Sequence, residues 1–137
     1  MYKPNQYTQT NNLNPEKNHM NIEELRDCCL SLKGVTEETP FGPDNLVYKV
    51  MGKMFALASI DAPICTCNLK CDPEYAVELR ETYPDTIKAG WHMNKKHWNT
   101  VEAEHLPNAF VVSLVQHSYD LVAASLKKAD KEVLASL

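Results

Sequence analysis

Between positions 88 and 100 the chain runs KAGWHMNKKHWNT, which gathers Lys88, Lys95 and Lys96, His92 and His97, and Trp91 and Trp98 without one acidic residue. Each of these types has a use against nucleic acid. A lysine places a point charge on a phosphate, Asn94, His92 and His97 supply donors for phosphate oxygens or base edges, and a tryptophan face stacks on an unpaired base. The same residues also have a structural reading, in which Trp98 anchors a core and Lys95 and Lys96 are exposed charges of a strand or loop. Three lysines are few beside the roughly six to ten phosphate contacts of a strongly salt-dependent duplex binder.

The five cysteines are Cys28, Cys29, Cys65, Cys67 and Cys71. Cys65-x-Cys67-x₃-Cys71 offers three soft donors, whereas a closed zinc site takes four, often from a C-x₂-C knuckle. The alternate spacing fits the inward face of a strand instead, and an odd count with two adjacent members argues against a disulfide framework. Buried, reduced thiols are therefore expected, with no metal and no cofactor. A nucleophilic cysteine needs a depressed pKa and a nearby base. His92, His97, His105 and His117 exist, but no local spacing ties one to a thiol. With four glycines in all, the chain has no glycine-rich phosphate loop, no H-E-x-x-H and no G-x-S-x-G, so it is not expected to be an enzyme. Glu23, Glu24 and Asp27 read as a solvated helix face.

Hydrophobic spacing supplies the elements that would position these groups. Asn21 followed by Glu24 is a capping box, and Ile22, Leu25, Cys29 and Leu32 recur at helical spacing up to Gly34. Residues 46–51 and 54–60 read as a hairpin closed at Gly52-Lys53. Residues 64–70 alternate, with Cys65, Cys67 and Leu69 on one face and Thr66, Asn68 and Lys70 on the other. Asp72-Pro73 opens a second helix with Tyr75, Ala76, Leu79 and Tyr83 on one side, and Pro84 closes it. A strand pair follows within residues 85–102. The longest helix is expected from Pro107 to near Lys127-Lys128, with Phe110, Val111, Leu114, Val115, Ser118, Leu121 and Val122 on its stripe, and a short terminal helix over residues 132–137. The order is α-β3-α-β2-α, an α+β fold with a two-layer, mainly antiparallel sheet and helices on one face.

The chain has 137 residues, 44% of them hydrophobic and 23% charged, which suits one soluble domain with a core of its own. Residues 1–19 are rich in Asn, Gln and Thr, and they read as a flexible leader ahead of a single domain over 20–137. With 14 basic and 18 acidic residues the net charge is −4, so any affinity for nucleic acid must come from a local patch. No apolar run approaches the roughly 18 residues of a membrane span, and no export signal is visible. A cytoplasmic monomer without membrane contact is expected.

Taken in order, the segments LSLKGVTEE (30–38), PFGPD (40–44), KVMGKMFA (49–56), NLKCDPE (68–74), HMNKKHWNT (92–100) and HSYDLV (117–122) resemble the MmcQ/YjbR family across about residues 20–128. The resemblance implies a compact two-layer fold similar to CyaY (frataxin) and to secretion chaperones. It also implies DNA binding through a double-wing arrangement, in which two β-hairpins flank double-stranded DNA. Carried over by residue, the contacts would be Asn94, Lys95, Lys96, His97 and Trp98 with His92, and Lys49 and Lys53 as a second wing. The alternative is a protein-interaction module that receives a partner segment on its sheet face or edge, as secretion chaperones do. A third reading, a small-ligand pocket or thiol chemistry near His92 and His97, would require a concave site.

Overall fold

A computed structural model describes residues 19–137. The leader expected over residues 1–19 lies, His19 apart, outside the described residues. Helix α1 (Ile22–Leu30) starts at the expected cap. The Asn21 side chain accepts from the Glu24 N–H at 2.8 Å, and the Asn21 N–H donates to the Glu24 carboxylate at 3.1 Å. Four strands then follow, β1 (Val35–Glu38), β2 (Asn45–Val50), β3 (Lys53–Ser59) and β4 (Cys67–Lys70). After them come α2 (Pro73–Thr82), β5 (Ile87–Ala89), β6 (Trp98–Val101), a 3₁₀ turn at Ala103–His105, α3 (Asn108–Ala124) and α4 (Lys128–Ala135).

The expected α-β3-α-β2-α order gains one strand, and the short helix expected over residues 132–137 is replaced by the earlier and longer α4. Strand β1 has only four residues, and two are glutamates, so it lacks an apolar alternation. It is held by tertiary bonds. Glu37 accepts from Arg26 of α1 at 2.7 and 3.0 Å and from the Tyr48 hydroxyl at 2.6 Å, while Glu38 pairs with Lys49 at 3.0 Å. The β2–β3 turn falls on Met51-Gly52, one residue earlier than expected, and both lie at positive φ (48° and 87°). That is the backbone hand a two-residue hairpin turn requires. Lys127 and Lys128 open α4 rather than close α3, whose C-terminal cap is Ser125. Helix α4 starts four residues earlier than expected, and its Leu134 packs on Gly34, where a Cβ would stand 2.7 Å from the leucine methyl.

The six strands form one antiparallel sheet in the order β1-β2-β3-β4-β6-β5. Strands β1 and β5 are its edges. Tyr48, Phe55, Ala56, Leu69, Ile87 and Val101 are buried against the helices together with Leu25, Ala76, Val111 and Val115. The Phe55 and Tyr119 rings meet edge to face at 5.5 Å, and the Tyr119 hydroxyl donates to the Lys33 carbonyl at 2.6 Å. Ser118, fully buried on α3, closes the gap where the β3–β4 ladder ends. Its hydroxyl donates to the Phe55 carbonyl at 2.5 Å and accepts from the Lys70 N–H at 2.9 Å. Among the described residues no helix is long and apolar enough to cross a membrane.

A candidate binding site on the open face of the sheet

Strand alternation and the ladder registers decide which residues face away from the helices. One row across the sheet reads Glu38, Val47, Leu57, Asn68, Thr100 and Lys88, and Lys70 opposite Trp98 stands in the next row along. Charge is divided unevenly between the two layers. The four helices carry nine acidic side chains against four basic ones, and the six strands carry four lysines against two glutamates. One of those glutamates, Glu37, points to the helix layer, where the Arg26 guanidinium holds its carboxyl below the usual carboxylate range. Of the strand residues, the open face thus carries Lys49, Lys70 and Lys88 against Glu38, and beyond the end of β3 the Asp61 carboxylate accepts from the Ser59 hydroxyl at 2.8 Å.

Over this face folds the loop of residues 90–97. At Gly90 the chain passes so close to β6 that a Cβ would lie 2.8 Å from the Trp98 Cβ and 3.0 Å from the Trp98 carbonyl, so the crossing needs glycine. The Gly90 N–H donates to that carbonyl at 2.8 Å, the Trp91 N–H to Thr100 Oγ1 at 3.1 Å, and the Thr100 hydroxyl to Asn68 Oδ1 at 2.5 Å. These bonds hold Trp91 above the sheet with 71% of its surface exposed, its ring 4.1 Å from that of His92. His92 adopts a positive φ of 59°, a conformation in which L-residues other than Asn, Asp and His are scarce. Beneath the pair lies a cleft of about 420 Å³ whose lining includes Asn45, Leu57, Ser59, Ala62, Thr66, Asn68 and Thr100. None of its lining residues is an acid or a lysine.

The residues singled out from the sequence are dispersed by the fold. His92 belongs to the cleft, and Trp98 lies half-buried on the open face, neither a fully exposed platform nor a core residue. Asn94 builds its own turn, its side chain accepting from the Lys96 N–H at 2.9 Å and its carbonyl from the His97 and Trp98 N–H groups. His97 is half-buried, and its carbonyl accepts from the Cys71 N–H at 2.7 Å. Lys95 donates to the Gly90 carbonyl at 3.3 Å, and its own carbonyl accepts from Arg80 at 3.0 Å. Lys96 lines a second, shallow groove with Pro73, Glu74, Val77 and Arg80 of α2. In the first hairpin, Lys49 is paired with Glu38 and Lys53 reaches the Ser125 carbonyl at 3.2 Å, at the end of α3. Lys95 and Lys96 therefore sit three strands away from Lys49, roughly 14 Å across a sheet of standard spacing.

The unusual segment read from the sequence contains Trp91 and Lys88, but the contacts carried over from the family resemblance left both out, and Lys70 was not considered as a site residue. Alternation around the buried Leu69 and Val101 is the signal that turns Lys70, Asn68 and Thr100 to the opposite side.

All five cysteines are buried. Burial pushes the Cys28 and Cys71 thiols up to about 12 and Cys65 to about 11, and it raises Cys29 and Cys67 well above the usual thiol range. Burial thus favours the protonated thiol, a poor nucleophile. Cys65 lies just before β4 rather than in it.

The sequence profile of the YjbR family matches residues 30–121. The chain is 40% identical over 111 residues to the Escherichia coli O157:H7 protein YbdF, a match that covers 80% of this chain and 90% of YbdF. It is 36% identical over 55 residues to YyaQ of Bacillus subtilis, covering 39% of this chain and 45% of that protein. Neither name states an activity. Among solved structures, the Deinococcus radiodurans protein DR2400, with its DUF419 domain, superposes with a TM-score of 0.80 at 35% identity, covering 88% of this chain and 91% of that one. A Pseudomonas syringae protein superposes with a TM-score of 0.63 at 26% identity, covering 74% and 98%. The family profile spans the elements from the end of α1 to α3, and with the agreement in fold it places this chain in the MmcQ/YjbR family.

Proposed function

We propose that this protein binds DNA through the open face of its sheet. The supporting observation is the division of charge. The helices collect the acidic side chains, while Lys70 and Lys88 stand on the opposite face beside an exposed tryptophan. An anionic chain is repelled by one layer and attracted by the other, so the net charge of −4 does not describe what a ligand meets on approach. Lys95 and Lys96 flank this face on the α2 side and add to the local field. A partner strand added at an edge is the less supported reading. The edges have four and three residues, which gives an added segment little ladder to extend.

The test is anisotropy of a labelled oligonucleotide across a range of salt concentrations. Affinity is expected to fall steeply with salt, and Lys70→Ala and Lys88→Ala to lower the log–log slope by about one unit each. Lys95→Ala with Lys96→Ala removes two further charges, and an additional loss of about two units marks them as phosphate contacts. Binding indifferent to salt and to all four lysines would overturn the proposal.

A further inference from the structure

Resting on that reading, we infer that the cleft beneath Trp91 receives a single unpaired nucleobase, so that the ligand is single-stranded rather than duplex nucleic acid. Three features point the same way. The cleft, about 420 Å³, lies within the roughly 300–1,000 Å³ of small-ligand sites, and its lining combines an apolar floor at Leu57 with uncharged amides and hydroxyls at Asn45, Ser59, Asn68 and Thr100. That combination suits a neutral heterocycle whose edge carries both donors and acceptors. Charge stands outside it. Lys88 follows Thr100 in the same row across the sheet, where it would meet the phosphate next to a base lodged over Thr100.

The second feature is the ring itself. Trp91 is 71% exposed, yet its backbone is tied to Thr100 at 3.1 Å and its indole rests on His92. A flat face held out over a cleft is a stacking platform whose ordering precedes binding. In a duplex the base faces are already stacked on one another, and such a platform has nothing to engage.

The third feature is the shortage of cations. With Lys49 tied to Glu38, Lys70 and Lys88 are the lysines of the open face that have no carboxylate within ion-pair distance among the described residues, far below the roughly six to ten phosphate contacts of a salt-sensitive duplex binder. Stacking has to supply what the charges do not, and stacking is sequence-tolerant because every base has a π-face.

The experiment compares four labelled probes at low salt: a mixed-sequence DNA strand, the same strand annealed to its complement, the same backbone with abasic residues, and the RNA strand of equal sequence. Expected is a preference of about tenfold or more for the single strand over both the duplex and the abasic backbone. The RNA arm reads whether the ribose hydroxyl is tolerated, and RNA bound as tightly as the DNA strand supports the shared base chemistry. Trp91→Ala is expected to abolish the preference and keep the salt slope, Trp91→Phe to restore part of it, and Lys88→Ala to lower the slope while keeping the preference. Duplex or abasic probe bound as tightly as the single strand overturns this inference and leaves DNA binding standing. No binding of any probe overturns both.

Discussion

The same six strands present two faces that follow different rules. Toward the helices they turn Tyr48, Phe55, Leu69, Ile87 and Val101, each close to fully buried, and the buried Ser118 hydroxyl of α3 is bonded there to Phe55 and Lys70. Away from the helices they turn Asn68, Thr100, Lys70 and Lys88, half-buried or exposed, beneath a loop pinned by a few hydrogen bonds. The first face determines whether the chain folds. The second is free to vary in chemistry, and that freedom makes it the place to look for function. If the division is real, substitutions on the two faces must separate cleanly in stability measurements.

The largest effect is expected from Phe55→Ala, a fully buried ring packed on Tyr119. Its removal should cost about 3–5 kcal/mol in denaturant unfolding. A loss under about 1 kcal/mol would mean that the helix-covered face is not the core that burial suggests. Ser118→Ala comes next, at about 2–3 kcal/mol, because it leaves the Phe55 carbonyl and the Lys70 N–H without their partner in a buried site. Thr100→Val, which removes a hydroxyl from the open face, is the paired control. It should cost less than half as much by the same measurement, and equal losses would erase the contrast.

A smaller, pH-dependent effect belongs to His117. Burial lowers its pKa, and its Nε2 accepts from the Asp72 N–H at 3.1 Å, a role open only to the neutral ring. Nearby Asp72 and Asp120 oppose the shift in part. The sign follows from linkage. Above about pH 6.5 both folded and unfolded states hold the ring neutral, and below it the unfolded chain takes up a proton that the folded protein resists. The melting temperature should therefore fall as pH drops below that point, and His117→Gln, which keeps an acceptor, should flatten the profile. Identical profiles for the two proteins would remove His117 as the cause. The smallest effect is expected at Trp91→Ala, within about 0.5 kcal/mol of the parent, since most of the ring is already in water. A larger loss would make Trp91 a structural residue and weaken its reading as a ligand platform.

Legibility from sequence followed the same division. The capping box at Asn21 and Glu24, the Asp72-Pro73 helix start and the apolar stripe of α3 are local signals, and each produced the element it announced. Strand β1 was not legible, because Val35, Thr36, Glu37 and Glu38 form a strand only once Arg26, Tyr48 and Lys49 are beside them. At the candidate site, the cluster of lysines and tryptophans in residues 88–100 stood out by composition, but composition could not say which way each side chain turns. The loop sends Lys96 toward α2 and Trp91 over the sheet, and the close approach at Gly90 that decides this is a tertiary fact. Lys70 and Lys88 were within reach of simple alternation, which had already set Lys70 apart from Cys67 and Leu69.

The brevity of the two outer strands has a further consequence for how the molecule behaves in a crowded solution. An unpaired strand is a template on which other chains can zip into fibrils, and the hazard grows with the length of the free ladder. Here the rims run for four and three residues, one flanked by the Glu38–Lys49 ion pair and the other carrying Lys88 at its middle. Neither is long or apolar enough to seed such growth, so the sheet can leave one face bare to water without inviting its neighbours to aggregate.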